Sequence, residues 1–302
     1  MLPVVIAANI QQAIASRAPV VALESTVIAH GLPTPRNSEV ALACEAAVRA
    51  RGATPATIAI LDGRIVIGCD ADQIHFLARG ANIAKISRRD LAAVIARRGN
   101  GATTVAGTLL CAAVAGIRVM ATGGIGGVHR GGETSMDVSA DLQELARAPL
   151  AVVCAGAKSI LDLGRTLEVL ETNGVPIAGF GTDHFPAFYS QESGFPVEIR
   201  VNTATEAADL IAAHQSIPNA GGIVIANPVP ADAAIPSQDV EKWILNALTE
   251  AQESGVSGKD LTPFLLSSLT RLSSGATLES NIALLENNAS VAAEIAVALH
   301  AV

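Results

Sequence analysis

The chain has 302 residues, of which 50% are hydrophobic and only 3% aromatic, and its formal net charge is −8. Its core must therefore be built mainly from Ala, Val, Ile and Leu, which is typical of helices packed on a parallel sheet. The acidic balance, with no basic run longer than two residues, argues against binding to nucleic acid or to a membrane surface.

The N-terminal segment and the cysteines indicate a soluble cytoplasmic protein. The first residues, MLPVVIAANIQQAI, lack a basic region and a cleavage site. No uninterrupted apolar run reaches the ~18 residues of a membrane span. The cysteines have no CxxC spacing and lie in apolar stretches, which favours free buried thiols in a reducing compartment: Cys44, Cys69, Cys111 and Cys154.

The first predicted strand, PVVALEST, ends at a candidate catalytic carboxylate, Glu24. A carboxylate at this place is either a hydrogen-bond partner for nearby backbone or a general acid whose pKa is raised by burial. The residues alone leave both interpretations open. The segment HGLPTPRN predicts a rigid loop, and a helix is predicted from about Ser38 to Arg51.

The next hundred residues predict a β-hairpin followed by helices. TIAILDGRIVIG has two β-branched runs around Asp62-Gly63, a strong hairpin signal. DADQIHFLARG, AKISRRDLAAVIARRG and GNGATTVAGTLLCAAVAG each predict a helix, the second capped by Ser87 with Asp90 in its first turn. Lys85 lies just before that capped helix, where its ammonium either serves a phosphate or is a surface charge.

A glycine-rich loop follows the short strand IRVMA. Six glycines lie between Gly123 and Gly132, beside His129 and Arg130. Glycines let backbone N–H groups approach a ligand, so the loop suits a phosphate or carboxylate. An ordinary glycine-rich turn is the alternative, since neither the Walker nor the Rossmann spacing is present.

Oxygen-bearing side chains follow the glycines: Glu133, Asp137, Ser139 and Asp141. Converging oxygen ligands suit a hard cation such as Mg²⁺ or Mn²⁺. The last two residues also open a predicted helix, SADLQELAR, where Ser and Asp are commonly caps rather than ligands.

Lys158 follows a second apolar strand, PLAVVCAGA, at the edge where open α/β sheets place their ligands. It is one of four lysines, against sixteen arginines. A free amine is a nucleophile and a guanidinium is not, so a lysine here points to covalent chemistry. A solvated lysine opening a helix is the alternative.

The remaining segments continue an α/β alternation and end in helices. SILDLGRTLEVLETNG and TATEAADLIAAHQ predict helices, and PIAGFG and GGIVIANPVP predict strands of a layered parallel sheet. The loop GFGTDHFPAFYSQESGF holds five of the eight aromatics, and we expect it to cover a base or a neighbouring subunit. Three helical segments follow Ile225, so the sequence predicts one domain, residues 1–302, with a helical C-terminal part. Three asparagines are uncommon choices within its last helix and are candidates to face the site: Asn281, Asn287 and Asn288.

In order and spacing, most of the chain from about Leu23 to His300 resembles the pseudouridine 5′-phosphate glycosidase family, also described as indigoidine synthase A-like. The matching blocks are ALESTVIAHGLP, AKISRRDL, GATTVAGT, ATGGIGGVHRGGETSMDVSADLQEL, CAGAKSILDLGRTLEVLET, TDHFPAFYSQESG, IANPVP and LTPFLLSSLTRLSSGATLESNIALLENNA. The resemblance implies reversible cleavage of the C–C glycosidic bond of pseudouridine 5′-phosphate to uracil and ribose 5-phosphate. It also implies a three-layer α/β/α fold with a mostly parallel central sheet, a Mn²⁺ requirement of one ion per subunit, and a homotrimer.

The resemblance further implies a role for each matching residue. Lys158 would be the nucleophile and Glu24 the proton donor, while Asp137 would hold Mn²⁺ largely through waters. Substrate contacts are implied for Lys85, Val105, Ser139, Ala140 and Asp141, with Thr122 and His129 near the phosphate and Asn281 at the uracil edge.

Two positions depart from the family pattern. His184 stands where glutamate is common, and Ala276 where a lysine often follows the glycines. Neither belongs to the proposed chemistry, so they bear on loop closure or on trimer contacts.

The chemistry of the bond explains why a lysine is needed. A C–C glycosidic bond has no heteroatom leaving group to protonate, so the two-carboxylate route of ordinary glycosidases is closed. An amine can instead capture C1′ of the ring-opened ribose as an iminium as the base leaves.

Two other functions remain compatible with the residues alone. A Schiff-base sugar-phosphate aldolase or lyase would use the same lysine but would not need Asp137. A non-catalytic nucleotide-phosphate-binding module would tolerate Arg or Met at Lys158.

Overall fold

The computed structural model describes residues 2–256, 258 and 261–301. Thirteen strands lie within these residues: β1 (Val4–Ile6), β2 (Val20–Leu23), β3 (Thr54–Leu61), β4 (Arg64–Ile67), β5 (Ala84–Ile86), β6 (Gly101–Thr103), β7 (Val119–Ala121), β8 (Val128–His129), β9 (Ala151–Cys154), β10 (Leu161–Asp162), β11 (Ile177–Phe180), β12 (Ile199–Val201) and β13 (Ile223–Ala226). Eleven form one sheet, and β8 and β10 pair separately.

The large sheet is mostly parallel, as predicted. Its main path runs β1-β4-β3-β2-β7-β9-β13-β11-β12, and β6 joins β3 with β5 beside it. The β3–β4 hairpin around Asp62-Gly63 is confirmed and is antiparallel, as is the β3–β6 pair. In the centre, Leu23 of β2 is level with Ala121 of β7, which is level with Val153 of β9. The residues that follow these three strands therefore emerge at the same sheet edge.

Helices cover both faces of the sheet, which confirms the α/β/α fold. The described residues form α1 (Ala8–Ala15), α2 (Arg36–Ala50), α3 (Ala71–Arg79), α4 (Leu91–Ala96), α5 (Val105–Val114), α6 (Gly132–Ser135), α7 (Ala140–Leu145), α8 (Leu163–Thr172), α9 (Ala204–Gln215), α10 (Ser237–Glu253), α11 (Leu261–Leu272) and α12 (Ala276–His300). The C-terminal part is helical, as the sequence predicts, although Lys259 and Asp260 at the start of one predicted helix lie outside the described residues.

The longest described helix, α12, is a core element. Its length and mean hydropathy of 1.4 would suffice to cross a membrane, but 56% of its most apolar window is buried inside the protein. It packs against α2 and α9 and against the central strands β7 and β9. The apolar character of α12 is therefore explained by its place on the sheet.

The structure differs from the sequence prediction mainly in short elements. The N-terminal segment forms β1 and α1, which were not predicted, and β6 occupies the start of the predicted small-residue helix. A π-helical turn, Val27–Gly31, replaces part of the predicted loop after Glu24. Strands of three residues carry too little periodicity to be read from sequence, and pairing with neighbours decides them.

The prediction of free, buried cysteines is confirmed for Cys44, Cys69, Cys111 and Cys154. Burial raises the pKa of each thiol to about 12. A thiol with so high a pKa is a poor nucleophile at neutral pH, so these four residues serve packing.

Candidate active site

The central strands deliver the two predicted catalytic residues to one edge. Glu24 directly follows β2, and Lys158 follows β9 after a short stretch, residues 155–157. That stretch lies beside the glycine loop, where the backbone N–H of Lys158 donates to the Ile125 carbonyl at 3.1 Å. The Lys158 ammonium donates to the Gly124 carbonyl at 2.9 Å. The glycine loop therefore holds both the backbone N–H and the side-chain ammonium of Lys158.

Lys158 and Glu24 line the same cavity, which has a volume of about 510 Å³. This is within the range of small-molecule sites. Ten of the eleven predicted site residues line it: Glu24, Lys85, Val105, His129, Asp137, Ser139, Ala140, Asp141, Lys158 and Asn281. Thr122 is the exception, since it lies behind Glu24 and donates its hydroxyl hydrogen to a Glu24 carboxylate oxygen.

Glu24 has the properties of a proton donor. Burial raises the pKa of its carboxyl, and the Asp141 charge adds to this rise. The nearby Lys158 charge, the Thr122 hydrogen bond and the Lys85 charge oppose it without reversing it. Of the two interpretations left open by the sequence, the structure therefore favours a general acid.

His129 is a neutral hydrogen-bonding group rather than a cation. Burial lowers the pKa of its imidazole; Asp137 opposes the shift, and the charges of Lys85 and Lys158 add to it. Its Nδ1 lies 4.0 Å from an Asp137 oxygen. The positive charge available to a phosphate in this cavity therefore comes from its lysines and arginines and not from His129.

The glycine loop is closely packed, and three of its backbone donors already have partners within the protein. The N–H groups of Ile125, Gly126 and Val128 donate to Gly156, Asp141 and Thr166 respectively. These three donors are therefore not available to a ligand, and the prediction that the loop binds a phosphate stays a prediction for its other N–H groups.

Close packing explains why several of these positions are glycine. A Cβ on Gly124 would lie 2.5 Å from the Phe188 ring, and one on Gly126 would overlap the Ser139 side chain. Only Gly131 of the six has a positive φ, 79°. Close approach of neighbouring groups, rather than backbone conformation, therefore requires most of these glycines.

Asp141 joins two parts of the site. Its two carboxylate oxygens accept hydrogen bonds from the N–H groups of Ala106 and Gly126, each at 2.8 Å. Ser139 caps α7 as predicted, since its hydroxyl accepts from the Asp141 N–H at 3.2 Å. Asp141 thereby fixes the start of α5 against the glycine loop. Val105, the first residue of α5, lines the cavity, where the positive end of the helix dipole suits an anion.

Asp137 is the candidate metal ligand. Its side chain is 43% exposed, and it lines the cavity next to His129. Among the described residues, no group of three or more His, Cys, Asp or Glu side chains is arranged to hold a metal ion. This donor set does not fit a closed protein cage; it fits a hard cation that keeps most of its waters.

The cavity also contains residues that the sequence did not single out. His30, from the π-helical turn after Glu24, and Arg89 and Thr262 line it. Their only sequence signal is closeness to predicted motifs. Moreover, π-helical turns are frequent at functional sites but have no clear sequence signature.

The aromatic loop contributes one wall of the cavity. Phe188 lines it, in line with the expectation that the loop covers a ligand. Phe185 and Tyr189 are buried in the core and present no surface to a neighbouring subunit, whereas Phe195 is 40% exposed. His184 and Ala276, the two departures from the family pattern, do not line the cavity.

Fold and site together define an α/β enzyme in which a lysine and a protonatable carboxyl face one cavity at the carboxyl edge of a parallel sheet. The chain belongs to the indigoidine synthase A-like family, whose model, described as "Indigoidine synthase A like protein", matches residues 9–298.

Similar proteins carry a common name. A protein from Jannaschia sp. (strain CCS1) is 53% identical over 298 residues, covering 99% of both chains, and one from Staphylococcus aureus (strain MW2) is 50% identical, covering 97% of this chain and 95% of its own. Both are named pseudouridine-5′-phosphate glycosidase.

Two solved structures have the same fold. The prealnumycin C-glycosynthase AlnA in complex with ribulose 5-phosphate is 41% identical with a TM-score of 0.91, and an indigoidine synthase A-like protein from Thermotoga maritima MSB8 is 35% identical with a TM-score of 0.90. Each match covers 99% of this chain and 97% of the other.

Proposed function

We propose that this protein reversibly cleaves the C–C glycosidic bond of pseudouridine 5′-phosphate to uracil and ribose 5-phosphate. The observation that carries the proposal is the placement of Lys158 and Glu24 on one cavity in a chain similar over its full length to enzymes of that name. The ribulose 5-phosphate bound to AlnA supports a sugar phosphate as ligand.

The reaction begins at the Lys158 amine. The amine nitrogen forms a bond to C1′ as the C1′–O4′ bond breaks. The ring oxygen takes a proton to become a hydroxyl, and the nitrogen, now an ammonium, gives up a proton and regains its electron pair. The nitrogen electron pair then forms the C1′=N iminium as the C1′–C5 bond breaks, and C5 of uracil takes a proton. Water adds to the iminium, which releases the aldehyde form of ribose 5-phosphate and frees the lysine.

Glu24 carries protons through these steps. Each time it gives one to the substrate it takes one back, first from the Lys158 ammonium and then from the water that adds to the iminium. Its raised pKa, caused mainly by burial, keeps a larger fraction protonated near neutral pH than an exposed glutamate would have. Its place beside Lys158 puts the acid next to the carbon that the amine attacks.

The other cavity residues hold the substrate. Lys85 and the start of α5 at Val105 provide a positive surface for the phosphate, and neutral His129 provides a hydrogen bond. Ser139 and Ala140 line the cavity at the start of α7, and Asn281 of α12 offers its amide to the uracil edge.

Asp137 would hold one Mn²⁺ per subunit. The ion would supply a hard positive centre whose waters orient the uracil and the sugar. The Asp137 carboxylate is 43% exposed, and no three-ligand cluster occurs among the described residues, which supports weak, exchangeable binding.

The 5′-phosphate is expected to be indispensable. Pseudouridine 5′-phosphate with Mn²⁺ should release free uracil. Free pseudouridine should be cleaved with a kcat/KM lower by on the order of 10²-fold or more, because it lacks the charge-assisted hydrogen bonds between the phosphate and the cavity's cationic groups. Chromatography of released uracil measures both. Comparable kcat/KM for the two substrates would contradict the assignment of a phosphate site, and no uracil from either would contradict the function.

Metal removal is expected to abolish activity reversibly. Because one carboxylate gives weak binding, excess EDTA should strip the ion within the assay, and added Mn²⁺ should restore the rate. Mg²⁺ and Ca²⁺ at the same concentration serve as comparison ions. Full turnover in excess EDTA would remove the metal from the mechanism.

We also infer a cytoplasmic homotrimer. The family resemblance suggests the trimer, and two exposed apolar residues beside Asp137 offer contact surface to a neighbouring subunit: Met136 and Val138. The four free thiols are consistent with a reducing compartment.

A further inference from the structure

A chain of buried polar side chains runs beneath the catalytic edge and ends at Glu24. Asn227 follows β13, Asn288 lies in α12, and Thr122 follows β7; all three are buried. The Asn227 amide donates to the Asn288 side-chain oxygen at 2.8 Å. The Asn288 amide donates to the carbonyls of Thr122 at 2.9 Å and Gly123 at 3.3 Å.

Hydrogen bonds hold both the backbone N–H and the backbone carbonyl of Thr122. Its N–H donates to the Val153 carbonyl of β9 at 3.0 Å, while its own carbonyl accepts from Asn288. Its side chain is buried, and its hydroxyl donates to Glu24. A threonine fixed in this way can act on substrate only through the carboxyl that it touches. The expectation that Thr122 lies near the phosphate stays a prediction, and the contact that the structure shows is the one with Glu24.

On the side of Thr122, few other groups constrain the Glu24 carboxyl. A small cavity of about 30 Å³ behind Glu24 is lined mostly by apolar side chains. The charged groups that act on Glu24 do so from three other elements: Lys158 after β9, Lys85 of β5 and Asp141 of α7. The Thr122 hydroxyl is therefore the neutral partner that can set the carboxyl's orientation.

We propose that Thr122, fixed by the Asn288–Asn227 pair, is a positioning residue that holds the Glu24 carboxyl for proton transfer to the substrate. The inference rests on the proposed function. Burying two amides in an apolar helix-on-sheet interface is costly unless each hydrogen bond is made, and here the chain of bonds leads to the proton donor.

The hydroxyl also affects protonation of Glu24. A hydrogen bond donated to the ionised carboxylate favours that form and lowers its pKa, against the larger effect of burial. Removing the hydroxyl should therefore raise the pKa of Glu24 further. A change confined to packing would not shift the titration of this carboxyl.

The test compares Thr122→Val, which keeps nearly the same volume, with Thr122→Ser, which keeps the hydroxyl. Thr122→Val should lower kcat on the order of 10-fold, change KM little, and move the alkaline limb of the kcat–pH profile to higher pH. Thr122→Ser should retain most of the wild-type kcat and pH profile. Thr277→Val, which removes another fully buried hydroxyl outside the cavity, is the matched control and should behave as wild type.

An unmoved alkaline limb in Thr122→Val, or a Thr122→Ser enzyme that behaves like Thr122→Val, would overturn the inference. An infrared pH titration separates this result from failure of the proposed function, because it needs no turnover. The Glu24 carboxyl band is assigned by its loss in Glu24→Gln and should titrate at higher pH in Thr122→Val than in wild type. An unchanged titration would overturn the inference even if the wild type released no uracil.

Discussion

Replacing Lys158 by Arg or by Ala is expected to lower kcat by on the order of 10³-fold or more. Arginine keeps the positive charge and can still donate to the Gly124 carbonyl, which Lys158 contacts at 2.9 Å. It cannot form an imine, because its guanidinium does not lose a proton in this pH range. If Lys158 only balanced the phosphate charge, Lys158→Arg would retain substantial activity.

The covalent step can be observed directly. Wild-type enzyme incubated with ribose 5-phosphate and borohydride should gain the mass of a reduced sugar-phosphate adduct, and peptide mapping should place it on Lys158. Lys158→Arg should bind ribose 5-phosphate without forming the adduct. Lys242→Arg changes an exposed lysine of α10 outside the cavity and should keep both activity and adduct formation.

Two results would contradict this assignment in different ways. An adduct mapped to Lys85, the other lysine of the described cavity, would exchange the roles of the two residues. An active Lys158→Arg enzyme without any adduct would remove covalent catalysis from the mechanism.

The sequence could predict the positions of those site residues that directly follow predicted strands. Glu24 and Lys158 each follow an apolar run that reads as a buried strand, and parallel strands bring their carboxyl ends to one edge. The structure pairs β2, β7 and β9 in parallel and places both residues on one cavity. Assigning a catalytic role to Glu24 and to Lys158 also required the family resemblance. A lone lysine or glutamate at a strand end has ordinary structural explanations.

The glycine loop could not be interpreted from sequence because its partners are distant in the chain. Gly124 is required by Phe188 and Gly127 by Thr166, contacts that follow from tertiary packing. A run of glycines near a histidine and an arginine suggests an anion site. The same run also occurs where close packing leaves no room for side chains, and the sequence does not distinguish the two. Only the fold shows that the N–H groups of Ile125, Gly126 and Val128 already have acceptors within the protein.

The protonation of the site residues was also beyond sequence reasoning. His129 looks like a cation beside a glycine loop, but burial lowers the pKa of its imidazole. Thr122 reads as a polar residue of the phosphate loop, but its hydroxyl contacts Glu24, a residue 98 positions away. Both properties depend on neighbours that only the sheet brings together.

Replacing Glu24 by Gln is expected to lower kcat on the order of 10²–10⁴-fold, the usual contribution of a general acid. Glutamine keeps the shape of the side chain and an oxygen that can accept from Thr122, but it has no acidic proton. In wild type the proton donor is lost as pH rises through the raised pKa of Glu24, so kcat should fall on the alkaline side. Glu24→Gln should lack this limb.

The same raised pKa makes a prediction about stability that separates a catalytic loss from unfolding. A carboxyl whose folded-state pKa is raised contributes stability below its unfolded pKa, and this contribution is lost as pH rises through the folded pKa. At neutral pH, Glu24→Gln should therefore melt at a temperature equal to or above that of wild type while kcat is lost. Glu45→Gln, which changes a buried glutamate outside the cavity, should retain kcat. A Glu24→Gln enzyme with near-wild-type kcat would remove Glu24 as the proton donor, and the proton would then have to come from water or from another residue of the cavity. A large fall in melting temperature would contradict the stability prediction.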